Sequence, residues 1–444
     1  MMLIDFSFSN YRSFKDEQSF SMKRDSRFDN GSFPGISTIA AIYGANASGK
    51  SNFLRAFSDM CHMVRGSYSQ GNADTGVSRT PFALCAGAGR SDSMFFSEFL
   101  AEDRQRYQYW FRFNDREILE EHLTFYRWMG DRLSTHATLL FAREATDIDF
   151  GTAFKGPRAQ VRKTIELRPN ALALSAAAAA GIASIQSAYS FFASNVVFCD
   201  ALSFESEQPF ILSQFSQETT FAKHLTKLIR YADFGIDNVV SAPADIPESL
   251  LESIKNQMRE QFGADDDKVE QIFGSGHQMQ LRFEHVGDDR KALLSMGDES
   301  RGTLAALSFF SLALRQLTRA SVTLVDEIDT SLHPALVQEL VALFTDPETN
   351  PHGAQLIFTT HDASLIIASG SEERLICPDQ MWLVEKTAVG ASELYPVTDL
   401  KVRREENLGR NYLNGVYGAI PKPSFHAMFA QIVNEEDTDG QEES

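Results

Sequence analysis

Gly44-Ala-Asn-Ala-Ser-Gly-Lys50-Ser51 is the stretch whose residue types and spacing best suit chemistry. Gly44 and Gly49 let the backbone wrap closely around an anion, with successive N–H groups turned inward. A helical pattern begins at once after the stretch, and a helix N-terminus favours negative charge. With an apolar run at Ile39 to Tyr43 ahead of it, the segment reads as GxxxxGK(S/T) between a strand and a helix. That context makes it a phosphate-binding loop. The candidate nucleotide-binding residues are therefore Gly44, Asn46, Ser48, Gly49, Lys50, Ser51 and Asn52. Lys50 would reach the β- and γ-phosphates and the Ser51 hydroxyl would ligate Mg²⁺, so ATP and Mg²⁺ are the expected cofactors.

A second segment, Val322-Thr-Leu-Val-Asp-Glu-Ile-Asp329, ends an apolar run in two adjacent carboxylates. Continuous apolar residues suit a buried parallel strand, and ligands in open α/β sheets bind at the C-terminal strand edge. Asp326 is then placed to hold Mg²⁺, often through water, and Glu327 to orient and deprotonate an attacking water. Two acids there are costly without a metal or partner. A third apolar run, Ala354 to Thr360, ends in His361, which suits a group that senses or hydrogen-bonds a γ-phosphate. Ser295 and Gly297, ahead of a long helical pattern at Thr303 to Leu317, offer a hydroxyl and close backbone at a helix start. That is a further candidate anion site.

These residues need elements to position them. Residues 2–14 alternate as a strand, and two extended pieces around Asn30-Gly31 and Pro34-Gly35 lead to the loop strand. A Gly-, Ser- and Asn-rich loop, Arg65 to Gly76, reads as mobile. Residues 80–167 carry aromatic-rich runs, Met94 to Leu100, Tyr107 to Phe113 and Glu121 to Tyr126, separated by polar turns. Such aromatics can stack bases, but an antiparallel meander with its apolar face on a core is the expectation. Residues 171–275 read as mainly helical, including Phe221 to Tyr231 and Pro247 to Phe262, with no heptad run long enough for a coiled-coil arm. From Lys291 the helix–strand alternation of an α/β protein resumes.

Composition bounds the rest. At 444 residues the chain can bury a large core and hold two or three subdomains. A formal charge of -19 disfavours indiscriminate coating of nucleic acid but leaves room for a local basic groove. Cys61, Cys85, Cys199 and Cys377 form no CxxC pair, which excludes a Cys-based zinc motif and points to a reducing cytoplasm. The N-terminus lacks the apolar core of a signal peptide. Ala171 to Ala188 is apolar, but Ala and Ser dominate it, so a packed helix is expected there rather than a membrane span.

The order of loop, Ser-x-Gly segment, acidic strand and His strand resembles ABC-type ATPase heads, the group that includes SMC and recombination-repair proteins. Nearer still, the chain is similar to the AAA-like, ABC-related ATPases of bacterial abortive-infection and restriction-linked loci. Further segments carry that resemblance almost end to end: Asn10-Tyr-Arg-Ser-Phe14, Pro81-Phe82-Ala-Leu84, Arg168 to Ser175, Asp326 to Pro334 and Leu413 to Pro421. It implies an α/β fold with an ABC-type head on a P-loop NTPase core, an antiparallel β subdomain and a helical insertion. The implied divisions are 1–167 and 279–432 for the two halves of the head, 168–278 for the helical insertion and 433–444 for a disordered acidic tail.

The resemblance also implies a homodimer, or an assembly of dimers, with ATP sandwiched between heads. Lys50 and Ser51 of one head would face Ser295 and Gly297 of the other. Asp329 would line the interface with His333 just beyond, and Arg12 would reach the nucleotide. The implied role is an anti-phage defence ATPase controlling a separately encoded nuclease or toxin, with no membrane partner. The alternative is a DNA repair or recombination ATPase that grips nucleic acid. Ser-Met-Gly-Asp-Glu departs from the transporter Ser-Gly-Gly-Gln, and no Q-loop glutamine is evident, which counts against a transporter subunit. The C-terminal stretch carries no recognisable acidic nuclease motif.

Overall fold

The computed structural model describes residues 1–28, 35–72, 74–129, 132–199, 204–232, 234–243, 256, 279–367, 374–403, 406–421 and 425–442. The helix expected at 247–262 and the turn at Asn30-Gly31 lie outside the described residues, apart from Asn256.

A six-stranded sheet forms the centre. Its strands are β3 (Ile39–Gly44), β9 (Val196–Cys199), β13 (Val322–Val325), β14 (Gln355–Thr359), β15 (Met381–Lys386) and β16 (Ser392–Pro396). They lie in the order β16-β15-β3-β14-β13-β9, and all neighbours are parallel except the β15–β16 hairpin. Period-two alternation sends Ala40 and Ile42 of β3 into one core and Ile39, Ala41 and Tyr43 into another. Both faces are covered, which explains the unbroken apolar runs in β3, β13 and β14.

The first core lies against a seven-stranded antiparallel sheet of β1 (Met2–Ser9), β2 (Gln18–Ser21), β4 (Ser93–Leu100), β5 (Arg106–Phe113), β6 (Ile118–Met129), β7 (Arg132–Glu144) and β8 (Asp147–Phe150). β5 buries Tyr107, Tyr109, Phe111 and Phe113 and turns Gln108, Trp110 and Arg112 outward, so the aromatic runs pack as a meander. Helix α1 (Lys50–Gly66) and the Ala-rich pair α3 (Ala173–Ala179) and α4 (Ala183–Ser194) fill the space between the two sheets. Among the described residues no helix is long and apolar enough to cross a membrane. Residues 158–167, expected in the meander, form α2 (Arg158–Leu167), whose Val161 and Ile165 recur at helical spacing.

The loop after α1 is anchored rather than loose. Arg168 donates to the carbonyls of Ser67, Tyr68 and Gly71, and Asn170 to those of Asn72 and Gly76. That segment is itself pinned by a fully buried pair, Arg143 and Glu121, 3.6 Å apart. Glu121 accepts from the N–H groups of Ala173 and Leu174 and from the Tyr109 hydroxyl, while Arg143 donates to the carbonyls of Ala145, Pro169 and Ala171. The charges are satisfied on all sides, as burial requires.

The second core packs α5 (Phe204–Ser216), α6 (Thr220–Tyr231), α7 (Arg301–Gln316) and α8 (Pro334–Thr345) against the other sheet face. A three-stranded antiparallel sheet, β10 (Ile236–Pro243), β11 (Met279–Val286) and β12 (Lys291–Ser295), stands beside α5 and α6. The stretch expected to be a helical insertion thus contains β9, which extends the central sheet, and β10. Val196, Val197 and Phe198 are β-formers too few to show a period, so local pattern hides them. Two C-terminal helices follow, α9 (Leu408–Leu413) and α10 (Phe425–Glu442). The tail expected to be disordered continues α10 through Glu442, on from the turns begun by Phe425 to Val433. At 18 residues, α10 is the longest helix among those described, and no long coiled coil is present there.

Candidate functional site

β3, β14 and β13 are neighbours, so their C-terminal ends converge. The loop after β3 carries Gly44 to Ser51, the turn after β13 carries Asp326 to Asp329, and β14 runs out to His361. Three segments more than 270 residues apart in part thus share one edge of the sheet.

The loop is shaped for close approach. Gly44 has φ 159° and Gly49 φ 120°, the latter a conformation that side chains avoid. A Cβ on Gly44 would meet Val384 O at 2.4 Å and Ser48 Oγ at 2.7 Å. On Gly49 it would meet Ser392 Oγ at 2.5 Å and Ser13 Oγ at 2.9 Å. The crest, Asn46 and Ala47, is exposed, while Ser48 is buried and its hydroxyl has no protein partner. Ser51 and Asn52 open α1 in half-buried positions.

Lys50 is 6% exposed, and its Nζ lies 3.0 Å from Gly44 O, 3.2 Å from Ala45 O and 3.0 Å from His361 Nε2. Burial pushes its pKa down, and the charges of Glu327, Asp326 and Asp329 pull it back up. These three acids are therefore close enough to act on Lys50, although among the described residues none forms an ion pair with it. A buried ammonium without an anion in contact, an orphaned hydroxyl and two glycines whose Cβ positions are already taken all fit a phosphate group. Among the described residues no cluster of three or more His, Cys, Asp or Glu forms a metal cage. Mg²⁺ at such a site ordinarily takes one or two protein ligands beside phosphate and water. Ser51 and Asp326 are the residues that would supply them.

Thr359 ties the acidic turn to β14. Its hydroxyl donates to Asp326 Oδ1 at 2.6 Å and accepts from the Glu327 N–H at 2.7 Å. Asp326 is buried and Glu327 exposed. Glu327 adopts φ 51°, unusual for a side-chain-bearing residue and a form of strain that collects at functional sites. Asp329 carboxylate oxygens lie 3.4 Å from the His361 N–H, and His333 caps α8 through Nδ1.

Two expected placements differ. Ser295 ends β12 and caps only the one-turn 3-10 helix Met296–Asp298, its hydroxyl donating to Asp298, rather than the long helix that follows; Gly297 is exposed. The long helix α7 starts at Arg301, with Ser300 as its cap accepting from Thr303 N–H. Gly302, in that first turn, runs so near the acidic turn that a Cβ would lie 2.7 Å from Ser331 O. Ser300 before a helical pattern is a cap signal legible in the sequence; the nearer Ser-x-Gly masked it. Arg12 is the other case. Its Nε donates to the Tyr11 hydroxyl, which donates to Asp59 two and a half turns along α1, and among the described residues no hydrogen bond joins its side chain to the loop.

Its neighbour Ser13 touches the loop instead. Ser13 Oγ accepts from Asn52 Nδ2 at 2.9 Å, Ser13 O accepts from Ser392 N–H, and Ser392 Oγ donates to Ser48 O. No local spacing announces Ser13, Ser392 or Thr359, because each acts only through the fold. Behind the loop, Tyr43 donates to Asp362 O at 2.9 Å and meets Tyr412 of α9 edge-on at 5.2 Å.

No curated protein sequence matches the chain. Among solved structures it is similar to an SMC head bound to the C-winged helix domain of ScpA, with TM-score 0.43 and 14% identity over 90% of this chain and 100% of that one. It is also similar to the SMC head domain from Thermotoga maritima, with TM-score 0.38 and 14% identity over 89% and 99% of the two chains. The family described as "AAA domain, putative AbiEii toxin, Type IV TA system" matches residues 39–368, from the first residue of β3 past the His361 strand end. The chain belongs to that family and is a nucleotide-binding ATPase domain of the AAA type.

Proposed function

We propose that the chain binds ATP with Mg²⁺ in the Gly44–Ser51 cradle and hydrolyses it. Lys50 holds the β- and γ-phosphates, Ser51 and Asp326 hold the cation, Glu327 deprotonates the attacking water and His361 contacts the γ-phosphate. A second copy completes the site. Its Ser295–Gly297 turn and the adjacent α7 start at Ser300 face the bound triphosphate, with Asp329 along the seam. Nucleotide-driven closure of this cytoplasmic homodimer is the output, and it controls a separately encoded effector, a nuclease or toxin, in anti-phage defence. The family's description as a putative toxin of a Type IV TA system supports that setting.

The observation that carries the reading is the meeting of Lys50 with His361, with Glu327, Asp326 and Asp329 near enough to bear on its charge. Lys50→Ala tests it. ATP affinity measured by calorimetry is expected to fall at least about 100-fold, since a charge-assisted phosphate contact is lost. Unchanged affinity refutes the assignment.

A further inference from the structure

Helix α10 carries Phe425, Met428, Phe429, Ile432 and Val433 at spacings of three, four, seven and eight, the positions of one helix face. All five are exposed, from 44% for Ile432 to 71% for Phe425. Contiguous apolar surface of that kind marks an interface. Beyond it the sequence from Asn434 to Ser444 holds six carboxylates, and from Phe425 onward there is no Lys or Arg.

We propose that this stripe pairs with the same stripe of a second copy, the two α10 helices running antiparallel and crossing near Phe429. An apolar face is complementary to itself, and a two-fold contact is the commonest way for identical chains to associate. The area suffices: with a Phe worth at least about 150 Å², the five side chains offer on the order of 500 Å² per helix. Two helices then reach about 1,000 Å², the lower bound for a specific interface. The antiparallel sense follows from charge. A parallel pair would align six carboxylates with six, whereas antiparallel helices carry the acidic ends about 24 Å apart at 1.5 Å per residue. That is about three Debye lengths at physiological salt, where repulsion is largely screened.

This contact lies outside the nucleotide site and does not depend on ATP. Used together with an ATP-closed interface, it would join closed dimers into larger rings or chains. The test is the mass of the full chain by light scattering at tens of micromolar, without nucleotide and with EDTA, for the wild type and in a Lys50→Ala background. A dimer is expected in both. Phe429→Glu combined with Ile432→Glu is expected to halve the mass, while Ala427→Glu combined with Gln431→Glu, which adds the same charge on the opposite face, leaves it unchanged. A monomeric parent, or a double variant that stays dimeric, overturns the proposal. Because the measurement excludes ATP, its failure leaves the nucleotide reading untouched, and loss of ATP binding leaves this one untouched.

Discussion

Lys50 Nζ lies 3.0 Å from His361 Nε2, joining the first turn of α1 to the end of β14 across 311 positions of chain. An ammonium only donates, so Nε2 accepts and the imidazole is neutral. Burial, then the Lys50 charge, holds the His361 pKa below its usual 6.5.

That depression sets a pH dependence. A histidine whose folded pKa is lowered contributes stability that is whole above its unfolded value near 6.5 and is lost as pH falls toward the depressed one. Urea unfolding from pH 7 down to pH 5 is expected to show a steeper loss for the wild type than for His361→Gln, which carries no titrating ring. Parallel curves would show that folding does not lower the pKa of the ring.

Glu327→Gln should keep ATP binding, because the amide preserves size, and slow hydrolysis at least about 100-fold by removing the base. Gel filtration with Mg²⁺–ATP should then show an accumulated closed form. Wild-type turnover in this variant would assign the proton transfer elsewhere.

Thr359 is fully buried and serves Asp326 and Glu327 at once. Thr359→Val keeps the shape and strands a carboxylate oxygen and an N–H, at a cost of about 1–3 kcal/mol. Thr359→Ser restores the hydroxyl and should recover most of that loss. Chemical denaturation of the three proteins separates the hydrogen bonds from packing, and a fully stable Val variant would dismiss them.

Arg143→Met takes the counter-charge of Glu121 out of the core, and about 3–5 kcal/mol of destabilisation is expected. Glu121 is held there by burial that disfavours its charge, with Arg143 as the leading counterweight. The paired change Arg143→Met with Glu121→Leu should be milder than Arg143→Met alone. A double variant worse than the single would mean that the pair is held for its hydrogen bonds to the 169–174 backbone rather than for charge balance.

The sequence by itself determined the α/β class, the antiparallel meander and the strand–loop–helix around Lys50. Those depend on local period and on glycines that few other residues replace. It also marked the carboxylate pair at 326–327, because charge at the end of an apolar run is conspicuous in one dimension. The strand β9 was not legible, since four residues carry no period and its place beside β13 is a long-range pairing. Ser300 was hidden by a more conspicuous Ser-x-Gly five residues earlier, although only Ser300 caps α7. Arg12 and Ser13 show the remaining limit. Which of two adjacent side chains faces the loop depends on the turn after β1, where Arg12 has φ 49°, and no pattern of residue types encodes that rotation. The braces from Ser13, Ser392 and Thr359 belong to the tertiary structure for the same reason: each is an ordinary hydroxyl until the sheet order places it against a backbone group far away in the chain.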